Sequence, residues 1–180
     1  LQTGEITLKA KHETLKATYD YADPNKVTEE DIKGGIDSAS GKRKGFELLR
    51  DGFNLYGADA KILICPEFDK TASCAAALAT LAEQLKAVAY VQLPKGTSLS
   101  KAIQGRGPLG AINASASSER VRHFFPYAIG SNNTLESLAV HAAGLRMKTD
   151  TEHGYWFSTS NRELQGVIGM EVKLTARVDD

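Results

Sequence analysis

Residues 61–93, with the sequence KILICPEFDKTASCAAALATLAEQLKAVAYVQL, decide the fold class of this chain. The apolar run 61–65 ends at Pro66, and a second apolar run, 87–93, follows one helix later, so both predict buried strands. Between them lies an alanine-rich predicted helix whose larger apolar residues recur on one face: Cys74, Leu78, Leu81 and Leu85. Two buried strands joined by a helix form a right-handed crossover in a parallel sheet. We therefore predict an α/β fold with a mostly parallel sheet flanked by helices.

The segment before this unit carries turn and capping signals. Residues 4–21 alternate between apolar and polar side chains in short bursts, which predicts a small β-hairpin appendage over residues 1–24. Thr28, with Asp31 three residues later, is typical of a capping box, and Gly34 ends the short helix that it opens. We expect the α/β domain to span residues 25–170 and residues 171–180 to begin a truncated C-terminal region.

A further amphipathic helix is predicted over residues 44–56. Large apolar residues recur there at helical spacing: Phe46, Leu49, Phe53 and Tyr56. Gly57 follows them and is predicted to act as a left-handed C-cap.

Two more elements are predicted directly after residue 93. Thr97 or Ser98 caps a short helix through Ile103, and a glycine-rich loop follows it. Residues 120–126 alternate as a strand, which Pro126 should end.

The last third of the chain predicts one helix, one loop and one strand. Thr134 is expected to cap the helix, whose apolar stripe comprises Leu135, Leu138, Ala142 and Leu145. A loop over residues 149–161 leads into a glycine-interrupted strand that starts at Leu164.

Composition and charge exclude several classes of partner. The chain has 180 residues, 42% of them hydrophobic, so it can bury a core. Its 22 basic and 22 acidic side chains give a net charge of +0, so we expect neither nucleic acid nor a membrane as a partner. Cys65 and Cys74 are expected to be buried free thiols, as in a reducing compartment, with a disulfide as the alternative.

Residues 105–110, Gly-Arg-Gly-Pro-Leu-Gly, match the spacing of a dinucleotide-binding loop. That loop normally follows a strand and presents backbone amides to a pyrophosphate. Here the glycines follow a predicted helix, Pro108 lacks an amide, and no acidic residue lies about 20 positions later to hold a ribose. A plain loop is the better interpretation, and nucleotide binding is the alternative.

Ser98 lies in a Gly-Thr-Ser sequence like the one that carries the nucleophile of subtilisin-like proteases. Those enzymes place their aspartate and histidine before the serine, whereas here only His12 precedes Ser98. The sequence favours an N-cap serine, and a serine hydrolase remains the alternative.

The histidines give a weak metal hypothesis. His141 follows Glu136 by about one turn, and His153 lies downstream, so two imidazoles and a carboxylate are conceivable ligands. Their spacing matches no strong ligand motif, which favours ordinary hydrogen-bonded histidines and no metal. The glycosylation sequons at Asn113 and Asn132 have no export signal to give them meaning.

Residues 142–161, AAGLRMKTDTEHGYWFSTSN, closely resemble a signature of contractile phage tail sheath proteins. In that signature a helix ending in Ala-Gly leads to Thr-Asp, a glycine, an aromatic pair, Ser-Pro-Ser-Asn and a glycine-spaced strand. Thr159 stands where the family has proline. The signature maps to Gly144, Thr149, Asp150, Gly154, Trp156, Ser158, Ser160, Asn161, Gly166 and Gly169. Similar order and spacing extend the resemblance from about Val27 to Gly169.

The resemblance implies a structural subunit and not an enzyme. Its expected partners are other sheath subunits, in hexameric rings of a helical polymer, together with the tail tube and the baseplate. It implies a subtilisin-like α/β domain without a catalytic triad or cofactor, in a virion tail that is assembled in the host cytoplasm. A tailocin or a type VI secretion sheath is the alternative within this class. We expect this chain alone, as a fragment of a longer protein, to be monomeric.

Overall fold

A computed structural model of the chain describes residues 21–105 and 118–173. The helices are α1 (Glu29–Lys33), α2 (Gly52–Tyr56), α3 (Ala72–Leu85), α4 (Leu99–Gly105) and α5 (Leu138–His153). The strands are β1 (Gly35–Ile36), β2 (Arg43–Lys44), β3 (Ile62–Ile64), β4 (Val88–Gln92), β5 (Val121–Phe124), β6 (Ala128–Gly130), β7 (Leu135–Glu136) and β8 (Val167–Met170). Short 3-10 helices span Pro24–Lys26 and Gly45–Asp51.

A parallel sheet in the order β3-β4-β5 forms the centre of the domain. Ala89 of β4 pairs with Leu63 on one side and with Val121 on the other. Helix α3 joins β3 to β4, and the Thr71 side chain caps it by accepting a hydrogen bond from the Cys74 amide at 3.3 Å. The predicted α/β fold class, with a parallel sheet flanked by helices, is confirmed.

Helices cover both faces of this sheet. Ala89 and Val91 belong to the buried cluster formed with α3. Because side chains alternate along a strand, Gln92 points to the opposite face, where its side chain meets the first turn of α5. The α3 face is packed mainly with small residues and leucines, all of them buried: Leu63, Cys65, Cys74, Ala75, Leu78, Ala79, Leu81, Ala82, Ala87, Ala89, Val91 and Val121.

Two small antiparallel units accompany the parallel sheet. Strands β1 and β2 form a two-stranded ribbon, and β7-β6-β8 form a three-stranded sheet with an irregularity between Ile129 and Gly130. The hairpin predicted over residues 1–24 falls almost wholly outside the described residues, as does most of 171–180. The domain boundaries at these two ends therefore stay predictions.

The N-terminal capping prediction is confirmed. The Asp31 amide donates to Thr28 Oγ1 at 3.3 Å, and the Thr28 amide donates to the Asp31 carboxylate at 2.8 Å. Gly34, with φ of 65°, ends α1. Gly57, with φ of 70° and ψ of 12°, is the predicted left-handed cap of α2.

The single helix predicted over residues 44–56 is wrong. The segment is a 3-10 helix over Gly45–Asp51 followed by the short α2. A 3-10 helix has three residues per turn, so Phe46 and Leu49 share a face, but the four-residue step from Leu49 to Phe53 leaves that face. Phe46 and Leu49 pack against the core as predicted, but Phe53 and Tyr56 of α2 are exposed.

The helix predicted to start at Thr134 starts later. Residues Leu135–Glu136 form β7, because pairing with Ala128 and Ile129 of β6 overrides the local capping signal. Ser137 occupies the N-cap position without a side-chain cap bond. The most buried residues of the helix are Ala139, Ala143 and Thr149, not the predicted stripe, and α5 continues to His153. The predicted loop over 149–161 therefore begins only at Gly154.

Candidate functional site: the aromatic loop after helix α5

The loop after α5 begins with a glycine that no other residue can replace without a clash. Gly154 has φ of 91° and its amide donates to the Asp150 carbonyl at 3.0 Å, which ends the helix. The Phe157 amide then donates back to the Gly154 carbonyl at 3.1 Å, so the chain turns tightly. A Cβ atom on Gly154 would lie 2.5 Å from the indole ring of Trp156. The positive φ therefore favours glycine here, and a side chain at this position would also displace the indole.

Arg146 anchors this turn to the body of α5. Its guanidinium donates to the Phe157 carbonyl at 2.7 Å and forms an ion pair with Asp150 one helical turn away. Asp150 thus orients Arg146, and Arg146 holds the loop. Thr149, which the signature also contains, is fully buried, and its hydroxyl donates to the Leu145 carbonyl at 2.8 Å. Asp150 thus positions the loop through Arg146, whereas Thr149 bonds within the helix.

Three consecutive aromatic side chains project from the turn. Tyr155 is 81% exposed and Trp156 is 74% exposed, and their rings meet edge to face at 5.1 Å. Phe157 is less exposed, because His153 stacks on it at 4.9 Å and the Arg162 guanidinium lies 4.9 Å from its ring centre. The loop therefore presents tryptophan, tyrosine and arginine side chains, which are the residue types that dominate protein interface hot spots.

The serines of the signature close the loop. The Ser160 amide donates to Ser158 Oγ at 3.1 Å, and the two hydroxyls lie 3.0 Å apart. Asn161 adopts φ of 57°, the left-handed conformation that asparagine tolerates better than most residues. The turn at 158–161 returns the chain so that Arg162 stacks under Phe157.

The structure brings the predicted signature residues together, in two roles. Thr149, Asp150 and Gly154 support the turn from α5, and Ser158, Ser160 and Asn161 close it. Only Trp156 among them offers a large exposed surface. The function of this loop stays a prediction. The geometry indicates that Trp156 is the signature residue that could contact another molecule.

Ser98 has the capping role that the sequence favours. The Lys101 amide donates to Ser98 Oγ at 3.3 Å, and the Ala102 amide donates to the Ser98 carbonyl at 2.9 Å. The hydroxyl thus caps α4. In the glycine motif, Gly105 ends α4, and residues 106–110 lie outside the described part of the chain.

The suggested histidine pair does not come together. His141 Nε2 lies 2.8 Å from a Glu136 carboxylate oxygen, whereas His153 lies 3.8 Å from Glu152 and stacks on Phe157. Within residues 21–105 and 118–173, no group of three or more histidine, cysteine or acidic side chains could hold a metal ion. Glu136 bonds His141 from β7 and not from a preceding helical turn.

The cysteines are two buried free thiols, as predicted. A hydrogen bond with Cys74, together with burial, raises the pKa of the Cys65 thiol above its ordinary value. Cys65 ends the apolar run of β3 and Cys74 lies in the first turn of α3, so both belong to the core.

The sequence analysis missed a buried polar cluster at the carboxyl end of β4. The Gln92 amide donates to an Asp69 carboxylate oxygen at 2.9 Å. The Gln92 side chain donates to the Phe124 carbonyl at 3.1 Å and accepts from the Ala139 amide at 3.1 Å. It thus replaces the absent side-chain cap of α5. The only signal in the sequence was a polar residue inside an apolar strand.

Asp69 is almost fully buried in this cluster. Burial raises the pKa of its carboxyl group to about 6, although the hydrogen bond from the Gln92 amide opposes that shift. The residue lies after β3, beside the core thiols, and its own amide donates to the Cys65 carbonyl at 2.9 Å. Asp69 therefore helps to fix the end of the sheet.

In the part of the chain that the structure describes, no helix is both long and apolar enough to cross a bilayer.

Fold and site together define an α/β domain with an exposed aromatic loop after α5. No protein-family model matches the chain. A tail sheath protein of Burkholderia phage BcepMu is 48% identical over 185 aligned positions, which cover 100% of this chain. A prophage major tail sheath protein of Pseudomonas aeruginosa strain UCBPP-PA14 is 31% identical over 77% of it.

This chain belongs to the phage tail sheath protein family. It spans 38% of the length of the Burkholderia phage protein and 35% of the length of the Pseudomonas protein.

Proposed function

We propose that this domain is part of the contractile sheath of a phage or prophage tail, which surrounds the tail tube and shortens to drive it through the host envelope. The observation that carries this proposal is the 48% identity to a tail sheath protein along the whole chain. In this role its partners are other sheath subunits, the tail tube and the baseplate, and its location is the virion tail. Assembly then takes place in the host cytoplasm.

The structure of this domain is consistent with rigid-body motion during contraction. The Gln92 side chain links β4 to the last carbonyl of β5 and to the first turn of α5, so the sheet is tied to the helix on this face. Contraction then changes contacts between subunits while this domain moves as a rigid body. Density maps of the extended and contracted sheath should superimpose over residues 25–170, and internal refolding of β4 or α5 would contradict this.

Electron microscopy tests the function itself. The full-length protein, expressed alone, should assemble into striated tubes, because sheath subunits polymerise through repeated head-to-tail contacts. Only soluble monomers, under conditions in which the Burkholderia phage relative forms tubes, would contradict the proposal.

Neighbouring genes separate the related devices. Genes for a tube protein, a baseplate and a capsid would place the sheath in a phage or prophage. Tube and baseplate genes without a capsid gene would indicate a tailocin, and an associated ATPase gene would indicate a type VI secretion system.

A further inference from the structure

A groove runs along the outer side of α5, between that helix and residues 163–165. Its volume is about 260 Å³. A cavity of roughly 150 Å³ is enough to hold benzene, so this groove has room for one aromatic side chain. The residues that line it include Val140, His141, Gly144, Leu145, Glu163 and Leu164.

Gly144 has no explanation inside the described chain. It lies in the middle of α5, where glycine lowers helix stability. A Cβ atom on Gly144 would meet no atom within 4 Å outside the backbone of its own helix and its chain neighbours. Glycine is required where another backbone or a ligand approaches closely. The open floor of the groove therefore indicates that something outside this part of the chain packs on Gly144.

The aromatic loop supplies a group that fits such a groove. Trp156 is exposed on a turn that Arg146 and Gly154 hold in place, so docking its indole costs little conformational entropy. Tyr155 supports the indole edge to face. A rigid exposed tryptophan and an apolar groove of matching size thus occur on one molecule.

Charges near the two surfaces are complementary. Arg162 stacks on Phe157 beside the exposed indole, and Glu163 lines the groove. Lys148 also lines the groove, but its ammonium group pairs with Glu152 at 3.9 Å, which leaves Glu163 as the carboxylate available to Arg162. Neither Arg162 nor Glu163 forms an ion pair with any residue in 21–105 or 118–173. A second copy of this chain offers both the recess for Trp156 and the carboxylate for Arg162.

We infer that Trp156 of one copy docks into the α5 groove of the next copy, with Arg162 of the first paired to Glu163 of the second. In a sheath polymer each copy offers its loop to one neighbour and its groove to another, so the contact is heterologous and propagates unless a ring closes it. This inference rests on the proposed sheath function and assigns one of its subunit contacts.

The size of the contact agrees with assembly through several weak contacts. Three largely exposed rings represent a few hundred Å², whereas a stable pair buries about 800 Å² on each partner. The 180-residue chain by itself should therefore stay monomeric, and light scattering that detects stable dimers or tubes of it would contradict this. In the full sheath, many such contacts add up.

Two substitutions in the full-length protein test the inference, with tube formation measured by electron microscopy. Gly144→Leu fills the groove and Trp156→Ser removes the anchor, and each should abolish tubes. The melting temperature should not fall in either variant, and should rise in Gly144→Leu because leucine favours helix. Tyr56→Ser is the matched control, because Tyr56 is 82% exposed on α2, away from both surfaces, and it should form tubes.

Charge reversal gives a second measurement that a folding defect cannot imitate. Arg162→Glu and Glu163→Arg should each reduce tube yield at least about tenfold, and the double reversal should restore it, because opposite charges then face each other again. Absence of rescue would overturn the pairing. Tubes that persist in Gly144→Leu or in Trp156→Ser would overturn the docking.

These experiments distinguish a failure of the proposed sheath function from a failure of the proposed Trp156 contact. A wild-type protein that forms no tubes contradicts the sheath function. Wild-type tubes that tolerate the groove and anchor substitutions leave that function intact and contradict the contact.

Discussion

The β3-α3-β4 unit and the segment that follows α5 place their large side chains differently. The first buries leucines and alanines around Leu78, and nearly every large apolar residue in it faces inward. The second exposes Tyr155, Trp156, Ile168 and, in part, Phe157. The first region is thus packed mainly with small and medium residues, and the second places aromatic rings on the surface. The first region maintains the fold, and the second exposes large apolar side chains, which is the surface on which the proposed subunit contact rests.

The largest expected effect tests the fold-bearing region. Leu78→Ala should lower the free energy of unfolding by about 2–5 kcal/mol, because Leu78 is only 1% exposed and its removal leaves a cavity. Urea unfolding followed by circular dichroism measures it. Leu55→Ala, at an exposed position of α2, is the control and should change stability by less than about 0.5 kcal/mol. If Leu78→Ala and Leu55→Ala lost equal free energy of unfolding, Leu78 would not belong to the core.

The second prediction concerns the junction between the two regions. Gln92→Leu should cost about 1–3 kcal/mol, because the buried Ala139 amide and the Phe124 carbonyl lose their side-chain partner. Hydrogen exchange should be faster at the first turn of α5. Gln84→Leu, at an exposed glutamine of α3, provides the comparison and should be close to neutral. An unchanged hydrogen-exchange rate at the Ala139 amide would show that Gln92 does not cap α5.

The third prediction uses pH. Because the pKa of the Asp69 carboxyl is raised to about 6, the folded chain holds a proton that the unfolded chain releases. The contribution of this group to stability should therefore rise as the pH falls through 6. It should level off near the pKa that the carboxyl group has in the unfolded chain. Between pH 7 and pH 5 the gain is about 1 kcal/mol. Asp69→Asn should lose this pH dependence while keeping an oxygen for the Gln92 amide. If the free energy of unfolding of Asp69→Asn still changed with pH as in the wild type, another group would be responsible.

The smallest effect is expected in the outward-facing region. Trp156→Ser should change the free energy of unfolding by less than about 0.5 kcal/mol, because the indole is 74% exposed. The measurement is urea unfolding of the 180-residue chain, beside Tyr56→Ser. A loss above about 1 kcal/mol would show that the aromatic loop supports the fold, and the contrast between the two regions would fail.

The sequence predicted the central unit well because its signals are local and agree with each other. The apolar runs, Pro66 and the spacing of Cys74 and Leu78 all indicate strand, helix and strand. It failed at Thr134, where a local capping signal competes with pairing to β6. It also failed over residues 44–56, where Gly45–Asp51 form a 3-10 helix and the spacing expected for one continuous α-helix is not kept.

Sequence alone thus determined the α/β class and the capping box at Thr28. Tertiary structure alone decided which signature residues support the loop and which face outward. Asp150 and Trp156 are equally prominent in sequence, but one orients Arg146 and the other is exposed. The reason is physical: periodicity encodes burial along one element, whereas the orientation of a loop side chain depends on bonds such as that from Arg146 to the Phe157 carbonyl.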